Sequence, residues 1–323
     1  FQGDKNGSKW NPNVREIPRA LKTGKLDLRP NSQAVQITHD RNGKVDGVLY
    51  IDTKTKALHR QEAKVVCVAG NSIETPRLFL MSASSMFPNG LANSSDQVGR
   101  NYMRHLTGSV YARFDKPVNF YRGETMAGFL ADEVKNNPKR GFVGGYYLET
   151  LALGPSFMGA FLEPGGWGKK FADMMDGYQN LAGMWIVGED MPQANNRITL
   201  GSAKDAFGLP APNVHFDDHP NDTAMRNHAY NVGEKIYKSV GAKQTWRTTP
   251  YPHTHNLGTM RMSAKKKDGV TNKWGRCHDI KNLFVSDGSV MTTGAACNPT
   301  LTIVALAIRQ GEYLADQLKK GKI

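Results

Sequence analysis

At 323 residues, with 39% hydrophobic residues and 33 glycines, the chain has material for about two domains with substantial cores. Its formal charge is +13, yet the lysines bunch only in short runs at Lys265 to Lys267 and Lys319 to Lys322, without aromatic interleaving or zinc or helix-turn-helix spacing. That pattern argues against nucleic acid and leaves a docking face for an acidic partner as one use of the charge, while no apolar run approaches the roughly 20 residues of a membrane span.

Taken in chain order, the first stretch predicts a short helix near Val14 to Thr23, then strands in LDLRP, AVQITHD and GVLYIDT. Asn42-Gly43, in the turn DRNGK, is a strong hairpin signal. A buried strand follows at Lys64 to Ala69, with Cys67 expected to pack as a small hydrophobe. Gly70 stops it, and Thr75-Pro76 predicts a helix start, since a proline in the first turn gives up an N–H that has no partner anyway. Asn71 and Ser72 then stand where a helix is capped.

From about Leu106 to Pro250 the pattern is one of strands with long connections. GSVYARFD, FVGGYYLETLAL, MWIVGED, NRITLGS and APNVHFDD are compatible with an antiparallel sheet. WGKKFADMMDGYQNLAG reads as a helix, and NDTAMRNHAYNVGEKIYKSVGA as an amphipathic helix ended by Gly241. Tyr121, Trp167 and Trp185 suit sugar stacking, although core packing suits most such aromatics better.

The last stretch carries the chemistry. His255 in HNLGT and Asn298 in NPTLTIVALA are 43 positions apart, joined through the strand and turn NLFVSDGS. Removing a hydride from a carbinol carbon requires a base for the hydroxyl proton and a second group to hold the oxygen. A neutral histidine can accept that proton, and an asparagine, which does not titrate, can orient the oxygen. No side chain accepts a hydride, so a cofactor is implied. Each residue alone also suits a structural role, His255 as a packed or surface histidine and Asn298 as a turn residue before Pro299. His253 shares a face with His255 if the segment is extended, but the H-x-H pair lacks a third ligand for a metal. After Pro299, LTIVALAIRQGEYLADQL has helical periodicity and a basic end, so a helix N-terminus points at the Asn298 region. Cys67, Cys277 and Cys297 form no C-x-x-C; a Cys277–Cys297 disulfide is an open alternative.

The tail from Pro250 to Gln317 resembles the C-terminal signature of the glucose-methanol-choline (GMC) flavin oxidoreductases, in which an H-x-x-G-T histidine and a second His or Asn flank the flavin. AGNSIETPRLFLMSAS at Ala69 to Ser84 resembles a second family signature, with Phe79 in place of a leucine, and LANSSDQVGRNYMRH and PQANNRITLGSAKDAFGLPAP are also similar. The resemblance implies a mixed α/β (α+β) fold: part of an FAD-binding domain at 1–105, an antiparallel-sheet substrate domain at 106–250, and the rest of the FAD-binding domain at 251–323. It implies FAD as cofactor, with His255 and Asn298 as the catalytic pair. Asp287, Gly288, Asn298, Pro299, Thr300 and Asn71 would lie along the cofactor, and His105 near the flavin. The implied reaction is oxidation of a C–OH group of a sugar, polyol or alcohol, closest to bacterial sugar and polyol dehydrogenases. Electrons would pass to a quinone, a cytochrome or oxygen. Alternatives are an enzyme of simple primary alcohols and a flavin-free binding subunit. One departure stands out: the family's opening G-x-G-x-x-G turn, whose helix holds the FAD pyrophosphate, is missing. The expectation is that this half of the cofactor site lies in an upstream segment or a companion subunit.

Overall fold

A computed structural model describes residues 5–250 and 255–323, and His253 lies outside the described residues. Helix α1 (Glu16–Lys22) opens on an acidic residue and closes on basic ones, as its dipole favours. Strands β1 (Ser32–His39) and β2 (Val45–Asp52) form the expected hairpin. Its turn is held by Asp40 Oδ1, which accepts from the N–H groups of Asn42 and Lys44, and Gly43 adopts φ of +77°. Strand β3 (Leu58–Glu62) completes a three-stranded antiparallel sheet. No strand forms at Leu26 to Pro30. That segment is instead tied to the sheet through side chains, with the Arg29 guanidinium donating to Tyr50 and Gln61.

Strand β4 (Val66–Val68) turns Val66 and Val68 into the first core, beside Ile37, Phe79 and Leu91. Strand alternation sends Cys67 to the opposite, exposed face, where its thiol donates to Gln310 Oε1 at 3.4 Å; the expected burial is not observed. Helix α2 (Asn71–Met81) begins four residues before the expected start, which places Pro76 inside it. Pro76 has no N–H for the Ser72 carbonyl, and Thr259 Oγ1 donates to that carbonyl instead at 2.8 Å. A long-range bond thus replaces the local one.

The next stretch contains β5 (Ser109–Arg113), β6 (Phe129–Leu130), β7 (Tyr146–Thr150), α3 (Pro155–Leu162), α4 (Gly168–Asp176) and β8 (Leu181–Gly188). After them come the hairpin β9 (Arg197–Lys204) and β10 (Pro210–His215), helix α5 (Pro220–Ser239) and β11 (Gln244–Arg247). Five of these strands form one antiparallel sheet, in the order β11-β5-β8-β7-β6. The β9–β10 hairpin is a separate two-stranded sheet, and Arg77 of α2 binds it by donating to the Pro210 carbonyl and to Asp205. One face of the large sheet packs Val110, Leu148, Met184 and Ile186 against Met225, Ala229, Tyr230 and Tyr237 of α5. Gly241, at φ of +90°, follows that helix as expected. On the other face Tyr111 packs with Leu153, Met158 and Trp185, and Tyr121 joins them. Trp167 does not follow that pattern, being 88% exposed.

Strand β12 (Leu283–Val285) pairs parallel with β4, and helix α6 (Thr300–Lys319) follows where the sequence places it. All three cysteines are free, so Cys277 and Cys297 are not bonded. Buried Asn282 joins β12 to the first sheet. Its amide donates to the carbonyls of Val45 and Lys64 and accepts from the Val45 N–H. Replacing Asn282 with Leu leaves the two buried main-chain groups of Val45 and the part-buried Lys64 carbonyl without that partner, at about 1 kcal/mol or more for each buried group. The expected outcome is a loss of at least about 2 kcal/mol, read as a lowered urea midpoint at unchanged slope.

Candidate active site

The segment carrying His255 is held in place by its neighbours in sequence. Leu257 and Met103 form an antiparallel bridge, with N–H to carbonyl distances of 2.9 and 3.1 Å. Gly258 adopts φ of +94°, and a Cβ there would lie 2.0 Å from the Asn101 carbonyl oxygen, so only glycine allows this approach. Ser72 Oγ donates to the Asn256 carbonyl, and the Tyr102 hydroxyl to the Asn256 side chain. The glycine and threonine of HNLGT are therefore explained by packing, the threonine through its bond to Ser72.

Two residues out from the bridge on each strand stand His105 and His255, on the same face. Their Nδ1 atoms are 3.1 Å apart and their rings meet edge to face at 4.9 Å. His105, 1% exposed, also places Nε2 at 2.8 Å from the Gly294 carbonyl oxygen. Burial lowers the pKa of both histidines. In His255 the neighbouring His105 adds to the effect and brings the value to about 4. Both are neutral at pH 7.

Gly294 belongs to the small-residue loop that ends at Asn298. Asn298 is exposed, Pro299 is buried, and Thr300 opens α6 with no side chain capping the helix. Asn298 Nδ2 points at Glu149 Oε1, 3.4 Å away, and the Tyr147 hydroxyl lies at 3.4 Å from the same oxygen. Both come from β7, on the face opposite α5, so the large sheet roofs the loop. Glu149 is 7% exposed, and burial raises its pKa above the usual carboxylate range.

The structure thus links His255, His105, the 294–298 loop, Asn298 and Glu149 through successive contacts. Asp287 and Asn71 stand elsewhere, at the joint of β12 and α2. One Asp287 oxygen accepts from the Asn71 N–H and Thr75 Oγ1, and the other from the Ser289 N–H and hydroxyl. Asn71 Oδ1 accepts from the N–H groups of Ile73 and Glu74, a capping role. Gly288 is packed so tightly that a Cβ would fall 2.9 Å from the Asn256 carbonyl. Glu149 and Tyr147 were not among the sequence candidates. A Tyr-x-Glu alternation in a strand marks one shared face, but nothing local says which face meets Asn298.

The donor set fits a flavin at the loop and the head of α6. The first N–H groups of an α-helix have no partner within it, and here they open beside a mostly small-residue stretch in which Ala295, Cys297, Asn298 and Thr300 are exposed. Large apolar Leu301 in the first turn of α6 is 83% exposed, so a flat heteroaromatic group has apolar surface to cover as well as donors to meet.

Comparison with known proteins agrees with this arrangement. Residues 1–107 and 192–307 match the N- and C-terminal family profiles described as GMC oxidoreductase. The chain is 38% identical to 2-methyl-1,2-propanediol dehydrogenase of Mycolicibacterium austroafricanum, over 98% of this chain and 59% of that protein. It is 30% identical to the fructose dehydrogenase large subunit of Gluconobacter japonicus, over 94% of this chain and 56% of that one. It therefore spans less than two thirds of these relatives. Among solved structures, Aspergillus oryzae formate oxidase superimposes with a TM-score of 0.68 at 16% identity, over 93% of this chain and 63% of that one. Pyridoxine 4-oxidase from Mesorbium loti gives 0.62 at 16%, over 87% and 57%. With both family profiles matched and the fold shared, the chain belongs to the GMC oxidoreductases.

Proposed function

We propose that the chain forms the substrate-facing part of an FAD-dependent oxidoreductase that oxidises a C–OH group of a polyol, sugar or related alcohol. The observation that carries this reading is the neutral His255, held against buried His105 beside the loop that ends at Asn298. Bound FAD would supply the hydride acceptor. His255 takes the hydroxyl proton, and Asn298 holds the substrate oxygen from the head of α6. Pro299 and Thr300 shape that head, whose partial positive charge favours negative charge nearby. Asp287, Gly288 and Asn71 shape the turn along the rest of the cofactor, with the Asp287 carboxylate committed to internal bonds.

Glu149 and Tyr147 support a substrate with more than one hydroxyl, since they place a carboxyl and a phenol next to Asn298. The names of the relatives, a diol dehydrogenase and a fructose dehydrogenase, fit that class. We assign residues 106–250 to the substrate domain, and 1–105 with 251–323 to the cofactor domain. On α6 only Gln310 is buried, while Leu301 and Ile308 are exposed, which supports a covering upstream segment or companion subunit. The electron acceptor would be a quinone, a cytochrome or oxygen.

In the full flavoprotein, replacing His255 with Ala should slow flavin reduction by about 100-fold or more, the usual worth of a general base. A loss under about tenfold in a stopped-flow trace of flavin bleaching would remove His255 from that role. Because the base works unprotonated and its pKa is lowered to about 4, kcat/KM should be level above that value and fall as pH drops through it. An acid limb at the ordinary histidine value of about 6.5 would contradict the assignment. Replacing Glu149 with Leu should cost about tenfold in kcat/KM for a 1,2-diol and less for a monoalcohol of equal size, roughly one lost hydrogen bond. Equal losses for both substrates would deny Glu149 a contact with the second hydroxyl.

A further inference from the structure

His105 lies 150 residues from His255 in sequence and touches it in space. Its two ring nitrogens face different partners, and those partners determine where its proton sits. At Nε2 the partner is the Gly294 carbonyl, 2.8 Å away, which can only accept, so Nε2 must carry the hydrogen. His105 is neutral in its buried position, and its Nδ1 is therefore a lone-pair acceptor. The atom 3.1 Å from that lone pair is His255 Nδ1, so the single ring proton of neutral His255 sits there. Its Nε2 is then the basic nitrogen.

We infer that His105 is a positioning residue: through the Gly294 carbonyl and its own Nδ1 it fixes His255 as the Nδ1–H tautomer, with Nε2 as the proton acceptor. The inference rests on the reading of His255 as the base. The same contact orients the ring, because the 3.1 Å Nδ1 to Nδ1 approach fixes where that edge of His255 lies. As Nδ1–H donates to His105 in the ground state, it continues to do so when Nε2 takes up a proton. The wrong tautomer costs on the order of 10,000-fold in a serine-protease triad, so the expected effect here is large.

The test uses the full flavoprotein and two variants. His105→Leu removes the acceptor, and His105→Asn keeps a carbonyl oxygen close to the position of Nδ1. Limiting rates of flavin reduction and substrate dissociation constants are measured for both, after flavin absorbance and thermal melting have shown that each is folded. His105→Leu should lower the limiting rate by about 100-fold or more with little change in substrate affinity, and His105→Asn should recover most of that loss. Neutron diffraction of the deuterated wild type should place deuterium on His255 Nδ1 and on His105 Nε2. Deuterium on His255 Nε2, a wild-type rate in His105→Leu, or an equally slow His105→Asn would each overturn the inference. The reading of His255 as base fails separately, if His255→Ala keeps its rate.

Discussion

The bridge between Met103 and Leu257 is the constraint on which the site depends. In an antiparallel pair, a step of two residues along each strand returns to the same face, so one bridge places His105 opposite His255. The bridge in turn depends on Gly258, since any side chain there would collide with the Asn101 carbonyl. It also depends on α2, whose Ser72 bonds to Asn256 through its hydroxyl and to Thr259 through its carbonyl. The proline that interrupts α2 leaves that carbonyl without its helical donor. The defect in the helix thus becomes an attachment point for the segment carrying His255.

The large sheet is fixed over the site by different means. Its α5 face is apolar and closed by the helix, which sets its orientation through packing. Its other face presents polar residues at one place, where Tyr147 and Glu149 reach Asn298. Next to it, Asp190 is almost fully buried behind the 294–298 loop and accepts from the Arg104 N–H at 2.6 Å, one residue before His105. A Cβ on Gly294 would make ordinary contact with the Asp190 backbone N at 3.4 Å and with the His105 ring at 3.5 Å. The loop is therefore packed between the segment carrying His105 and the residues just after β8.

Local signals predicted the elements whose cause is local. The Asn42-Gly43 hairpin, α5 with its terminal glycine, and α6 after Pro299 all form. Elements decided by distant partners were harder to read. Strand β3, LHRQE, is exposed along its whole length and has no alternation to detect. The true start of α2 is hidden because Thr259, 187 positions from Ser72, supplies the bond that Pro76 lacks. Cys67 looked like core in an apolar strand, but only every second residue of β4 faces inward. Around the candidate site, the backbone at His255 and Asn298 was legible because their motifs carry backbone requirements, a tight glycine and a helix start. Glu149 could not, since an acidic residue in a strand reads as a solvent-facing position until its neighbours are known.

Burial gives the site a further property, which follows from the groups taken together. It lowers the pKa of His105 and His255 and raises that of Glu149, so each is pushed toward its neutral form. Groups shifted in this way offer less charge to offset one that appears between them than an ion-rich site would. The fixed electrostatic feature that remains is the N-terminus of α6, worth about half a positive charge. In a low-dielectric setting that partial charge acts over a longer range than in water, and it meets little competition from side chains. On the reading of His255 as the base, negative charge arising beside Asn298 would lie at that helix end.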